Sequence, residues 1–219
     1  MYRPEITRCG QIPGPDIEQN VPAAASCPHG EKIGGMKLYR KDGKPFIFVG
    51  RLDEWKGIRV LFSTWELLGE NAPELNVCGT GPLDGWCREY AARHRLRVNM
   101  KGFLDHEEVK RMIASSEALV LPTQWYEGFP MVIVEAYAMG TPVLGSEFGN
   151  TGMLIEEGIT GYRFDGRCPD SIIQAMKKLR ESPLKRARIR EIYQQKYSVE
   201  QNYRMLTDIY RKVLTERKR

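Results

Sequence analysis

Six short, mostly apolar runs, separated by stretches of helical periodicity, limit what this 219-residue chain can become. They are PFIFVG (45–50), ELNVCGTG (74–81), VNMKGF (98–103), ALVLP (118–122), TPVLGS (141–146) and GYRF (161–164). Most are continuously apolar rather than alternating, as strands covered on both faces are. Between them, IRVLFSTWELLG (58–69) has helical spacing and a glycine stop. PLDGWCREYAARHRL (82–96) reads as a helix with proline at its first position, where no N–H is missed. DHEEVKRMIASS (105–116) opens on Asp105 as an N-cap, with Glu108 at the capping-box position. FPMVIVEAYAMG (129–140) is an apolar helix closed by glycine. Three more helices are predicted from Pro169 to Leu179, over 184–196 and from Val199 to about Arg217. Strands alternating with helices predict an α/β fold: a doubly wound, Rossmann-like parallel sheet of about six strands with C-terminal helices.

Residues 1–43 carry no such periodicity. Five prolines fall in the first 28 positions, with Gly10, Gly14, Gly30, Gly34 and Gly35 nearby, so this stretch reads as a linker. The expected division is a linker at 1–43, a Rossmann-like domain at 44–197 and an amphipathic helix at 198–219. No apolar stretch is long enough to span a bilayer, and MYRPEITRCG has no signal-peptide core. The five cysteines form no CxxC pair and are expected to be free thiols of a reducing, cytoplasmic setting. The net charge of +5 is uneven: residues 177–219 hold fourteen Lys and Arg against five acids. Such a tail is a solvated helix face or a docking surface for an anionic membrane or partner. It lacks the aromatic interleaving of a nucleic-acid binder.

In doubly wound sheets, ligands sit beyond the carboxyl ends of the strands, so the residues there carry the functional argument. After the first run comes GRLDEWKG (50–57), where Arg51 and Lys56 flank a strand-to-helix turn. They are either a diphosphate clamp or two surface cations. GTGPLDG (79–85) has glycines spaced G-x-G-x-x-x-G, not as a dinucleotide fingerprint requires; Gly81 allows close backbone approach to a ligand. Gly102, Phe103 and Leu104 offer backbone polar groups and an apolar surface, for a base or for packing. PTQWYEGFPMV (122–132) ends at a helix N-terminus, where the N–H groups of Gly128, Phe129 and Met131 are open to an anion or sugar hydroxyls; Pro130 has none. Trp125 and Tyr126 either stack on a sugar or wall the loop. His94 and His106 read as surface residues of helices.

Glu135 stands inside MVIVEAYAM, where the other eight residues are apolar. A buried, unpaired carboxylate costs several kcal/mol. Three readings follow: an exposed stripe on the helix, a buried cation partner, or hydrogen bonds from a ligand diol such as a ribose.

FVGRLDEWKG, the GTGP turn, VNMKGF, EGFPMVIVEAYAMGTPV and EEGITGYRF, in that order, together resemble retaining glycosyltransferases of the GT-B fold, most closely family 4. The resemblance runs from residue 45 to about 215 and includes the E-x7-E pair Glu127 and Glu135. It implies one half of a GT-B fold: the nucleotide-sugar (donor) binding domain of an enzyme of glycan or cell-surface polysaccharide synthesis. Arg51 and Lys56 would bind the donor diphosphate and stabilise the leaving nucleotide, beside Gly50. Glu127 would hold sugar hydroxyls, Gly128 to Val132 would lie near the sugar and phosphate, and Glu135 would bind the ribose. The loop Gly102–Leu104 would frame the base. Fixed cations and N–H dipoles aimed at the growing phosphate charge lower the barrier, so no metal and no cofactor beyond the donor is expected; no DxD triplet occurs.

Two features depart from the family. GNTGM (149–153) places Met153 where a carboxylate is common. The first Rossmann-like domain, which supplies the acceptor site, is missing, and Met1 falls in what reads as the interdomain linker; a C-terminal half is expected, inactive alone. The alternative is a non-catalytic nucleotide-sugar-binding or scaffold module docked through its basic C-terminal helices. The E-x7-E pair with Arg51 and Lys56 argues against a related epimerase, and no pyridoxal-binding lysine setting suggests a phosphorylase.

Overall fold

The computed structural model describes residues 43–216, and the linker expected at 1–43 falls almost wholly outside them. Six strands form one sheet: β1 (Phe46–Val49), β2 (Leu75–Cys78), β3 (Val98–Gly102), β4 (Leu119–Leu121), β5 (Val143–Ser146) and β6 (Gly161–Phe164). Every pairing is parallel, and the spatial order is β3-β2-β1-β4-β5-β6. The order runs outward from the β1–β4 pair in both directions. That is the topological switch point of a Rossmann sheet, where the crossovers to either side diverge and leave a crevice.

The helices are α1 (Ile58–Leu68), α2 (Asp84–Arg93), α3 (His106–Ser115), α4 (Met131–Ala138), α5 (Gly149–Leu154), α6 (Pro169–Glu181), α7 (Arg186–Lys196) and α8 (Val199–Glu216). Successive strand residues point to opposite faces, and β1 shows it. Phe46 and Phe48 join a core with Leu61, Phe62 and Trp65 of α1 and Ile172 and Met176 of α6. Ile47 joins the opposite core with Ile113 of α3, Ile133 and Tyr137 of α4 and Ile189 of α7. All these residues are fully or nearly fully buried, and each large side chain so buried contributes about 1.5–3 kcal/mol.

The predicted punctuation is largely present. Asp105 caps α3 through Glu108, and both halves of the capping box form. Gly69 ends α1 at φ 55°, and Pro169 opens α6. Two boundaries differ. The second helix starts at Asp84, not Pro82: Asp84 N–H bonds Gly81 O at 3.1 Å, so Pro82 lies in a turn ahead of it. GNTGM is not a loop but most of α5.

Buried polar groups tie the layers together. Arg186 at the start of α7 donates to Ala114 O (3.1 Å), Thr141 Oγ1 (3.3 Å) and the carbonyls of Ser116 and Glu117. It thereby satisfies carbonyls left open where α3 ends, and burial lowers its pKa. The Tyr137 hydroxyl bonds Leu154 O at 3.0 Å and Thr160 Oγ1 at 2.9 Å, and its burial raises its pKa.

The expectation of free thiols holds for Cys78 and Cys87, which are buried. It fails for Cys168, which is disulfide-bonded; Cys9 and Cys27 lie outside the described residues. Helix α8 exposes a broad apolar face that includes Val199, Tyr203, Leu206, Ile209, Tyr210 and Val213. No helix among the described residues is long and apolar enough to cross a membrane.

Candidate donor-binding site

Two constellations occupy the carboxyl ends of the strands. The first spans the switch point. The loop after β1 closes in a 3-10 turn, Glu54–Lys56, capped by Asp53, whose side chain accepts from Lys56 N at 3.0 Å. Gly57 then takes φ +69°, and a Cβ there would stand 1.9 Å from Pro122 O. The loops after β1 and β4 thus touch at a position that only glycine fits. The contact is reinforced by Gln124 N donating to Trp55 O at 2.8 Å, and the rings of Trp55 and Trp125 lie 4.6 Å apart.

That apposition joins Lys56 to Glu127, 71 positions away in sequence: Lys56 Nζ lies 2.7 Å from Glu127 Oε1. The hydroxyl of buried Thr123 donates to the same oxygen at 2.9 Å. The side chains of Lys56 and Glu127 are 29% and 19% exposed, so solvent screens the pair incompletely. The loop around Glu127 is held from β5's side as well. Asn150 Nδ2 of α5 donates to Glu127 O at 2.8 Å and also to Gly128 O.

The second constellation is an open pocket of about 430 Å³. Its lining includes Gly50, Arg51, Phe103, Leu104, His106 and Glu135. Gly79 at its floor has φ +134°, and a Cβ there would meet Gly50 O at 1.9 Å. Arg51 is 68% exposed, with Nε 3.3 Å from Asp53 Oδ2. Cys78 also lines the pocket, its thiol pushed up to about 11 by burial, against the smaller opposing influence of Lys101.

Glu135 is not buried as expected. Its side chain is 23% exposed and turned to the pocket, while Ile133, Val134, Ala136 and Tyr137 of the same helix are buried. The carboxylate therefore occupies the one wet stripe of an otherwise apolar helix, at the mouth of a cavity. Of the three readings, the buried cation partner falls away; the exposed stripe and the diol contact turn out to be compatible.

Of the residues singled out in the sequence, the pocket gathers Gly50, Arg51, Phe103, Leu104 and Glu135. Lys56 and Glu127 stand apart, paired at the switch point. Gly81 packs on the Leu52 backbone, where a Cβ would meet Leu52 O at 2.4 Å. Gly102 takes φ +69° at the end of β3. Gly128, Phe129 and Met131 are exposed, Pro130 caps α4 and Val132 is half-buried. Trp125 (55%) and Tyr126 (69%) are exposed, and Tyr126 packs on Phe148 at 4.5 Å.

Two residues escaped sequence reasoning. Asn150 supports the Glu127 loop, while neighbouring Met153, where a carboxylate was sought, is 82% exposed. His106 reaches the pocket with Nδ1 3.7 Å from Glu135 Oε1. Its place directly after the Asp105 cap, at a strand end, was the available signal. His94 lies just past α2, stacked on Tyr90 at 4.2 Å with Nδ1 2.8 Å from Glu66 Oε1, remote from both constellations.

The comparisons with known proteins agree with this geometry. The family model described as Glycosyl transferases group 1 matches residues 36–196, more than half of the chain. A glycogen synthase of Mycobacterium tuberculosis is 30% identical over 141 residues, 63% of this chain and 34% of that protein. A D-inositol 3-phosphate glycosyltransferase of Corynebacterium glutamicum is 30% identical over 190 residues, 82% of this chain and 44% of the relative. Among solved structures, sucrose-phosphate synthase from Thermosynechococcus elongatus aligns with TM-score 0.69 at 23% identity, over 81% of this chain and 47% of that one. Anabaena HepE in complex with UDP and glucose aligns with TM-score 0.67 at 18% identity, over 77% and 48%. The chain spans about a third to a half of the length of these relatives. By fold it is the Rossmann-like half of a GT-B glycosyltransferase, and by sequence it belongs to the group 1 glycosyl transferases.

Proposed function

We propose that this chain is the donor-binding half of a retaining glycosyltransferase, which transfers a sugar from a nucleoside-diphosphate sugar to an acceptor held by a second domain. The observation that carries the reading is Glu135: a carboxylate on an apolar helix, free of hydrogen bonds from described residues, facing an open pocket at the strand ends. A ribose diol supplies the donors that such a group lacks. Arg51 brings a cation and Gly50 and Gly79 a close backbone to the same pocket, which suits a diphosphate. HepE, whose fold this chain shares, was solved with UDP and glucose bound.

On this reading Glu127 holds sugar hydroxyls, and Lys56, released from it, follows the negative charge that grows on the leaving phosphate. The cations are protein side chains, so the step as written calls on no metal or cofactor. The test is a calorimetric panel of UDP, GDP and ADP and their glucose conjugates against the 219-residue chain. Saturable heat with one base supports the reading; none with any of the three refutes it.

A second reading rests on α8. Its exposed apolar face, in a segment with fourteen cations against five acids, suits an anionic membrane. Co-sedimentation with phosphatidylserine vesicles that disappears at high salt is the result this reading requires.

A further inference from the structure

His106 is the first residue of α3, directly after its Asp105 cap, and it projects over the same pocket as Glu135. Its Nδ1 lies 3.7 Å from Glu135 Oε1, too long for a hydrogen bond but within the range of an ion pair once the imidazole is charged. No hydrogen bond from the described residues reaches either oxygen of Glu135. An ionised carboxylate accepts at both oxygens, about four lone-pair sites in all, so a histidine on Oε1 leaves Oε2 open to ligand donors.

We propose that His106 is a positioning residue of the donor site, whose charged imidazole holds Glu135 Oε1 while Oε2 accepts from the ribose hydroxyls of a nucleoside-diphosphate sugar. The inference rests on the donor-binding reading above.

Several charged or titratable groups share this surroundings. Asp105, Glu107 and Lys110 come from α3, Glu135 from α4, Arg51 from the loop after β1, Cys78 from β2 and Tyr193 from α7. Lys110 and Glu107 are engaged with each other at 2.9 Å, an interaction that lowers the Glu107 pKa. Lys110 also feels the Glu135 charge, more weakly than it feels Glu107. Cys78 stays neutral through the pH range of imidazole. His106 is therefore the member of the group whose residue type changes charge between about pH 5 and 8.

Two effects of protonation act in the same direction. The imidazolium fixes the carboxylate for the diol, and it adds a positive charge to a pocket expected to receive a diphosphate. Because His106 is 62% exposed, the scale is that of a screened ion pair, about a two- to fivefold change in affinity.

The test is calorimetry of UDP-glucose binding to the 219-residue chain at pH 6 and pH 8. The diphosphate of this probe links two esters and gains no proton in that interval, so the ligand's charge is constant. Wild-type protein should bind about two- to fivefold more tightly at pH 6. His106→Gln should bind equally at both values, and His106→Lys, charged throughout, tightly at both. In a Glu135→Gln background, His106→Gln should change affinity far less than it does in the wild type. A wild-type affinity independent of pH, or a pH difference that survives in His106→Gln, overturns the role of His106. No heat from UDP-, GDP- or ADP-glucose at either pH overturns the donor reading itself and His106 with it.

Discussion

The two constellations at the strand ends use similar groups in opposite states. At the switch point the charges are satisfied: Glu127 has Lys56 at 2.7 Å and the Thr123 hydroxyl at 2.9 Å. In the pocket, Glu135 has only a histidine at 3.7 Å and no hydrogen bond from a described residue. A ligand at Glu135 exchanges water for protein and gains a charge-assisted hydrogen bond, worth about 1.5–3 kcal/mol. A ligand at Glu127 must first compete with an ammonium group. The open group is thus suited to grip, and the closed pair to respond, because its bond must be exchanged before Lys56 can serve another anion.

The comparison depends on the two loops being pressed together at the switch point, and Gly57→Ala attacks that directly. A Cβ 1.9 Å from Pro122 O, at φ +69°, cannot be accommodated without separating the loops. We expect a stability loss of about 3 kcal/mol in urea denaturation. A variant as stable as the wild type would mean that the loops are not in contact.

Glu135→Ala tests the open group. It should weaken UDP-glucose binding about ten- to a hundredfold, measured by calorimetry, with stability within about 0.5 kcal/mol of the wild type because no protein partner is lost. Lys56→Ala should show the reverse emphasis in the ligand-free protein. It strips Glu127 of its cation and should lower stability by about 1 kcal/mol, with Thr123 retaining one bond. If Glu135→Ala proves the more destabilising of the two, the assignment of open and closed groups is wrong.

The smallest signal comes from Cys78. With a pKa of about 11, only about one thiol in a thousand is ionised at pH 8. Alkylation by iodoacetamide should be slow there and rise about tenfold per pH unit up to pH 10, since the thiolate is the nucleophile. Because Cys78 lines the pocket, saturating UDP-glucose should slow it further, and unchanged labelling would place the ligand elsewhere.

Much of this was legible from local pattern. Apolar runs located all six strands, and Asp105 with Glu108 announced α3, because caps and burial depend on nearest neighbours in sequence. What stayed hidden is what the fold brings together from afar. Lys56 and Glu127 are 71 positions apart, and no spacing rule links them. Helix α5 is six residues with two glycines and an asparagine, too short and too poor in helix formers to register. Glu135 was placed correctly on its helix, but its degree of burial depended on the shape of a cavity lined by three other strand-end loops.

The paired indoles at the switch point have a practical consequence. Of the chain's four tryptophans, Trp65 is buried in the core and Trp86 packs on Phe62 and beneath Arg59, whereas Trp55 and Trp125 are half in solvent, 4.6 Å apart, and belong to the two opposed loops. Any event that parts Lys56 from Glu127 and shifts one loop against the other also shifts one ring against its neighbour. The protein thus contains its own optical gauge: intrinsic emission and near-ultraviolet circular dichroism should report rearrangement at the switch point without a label.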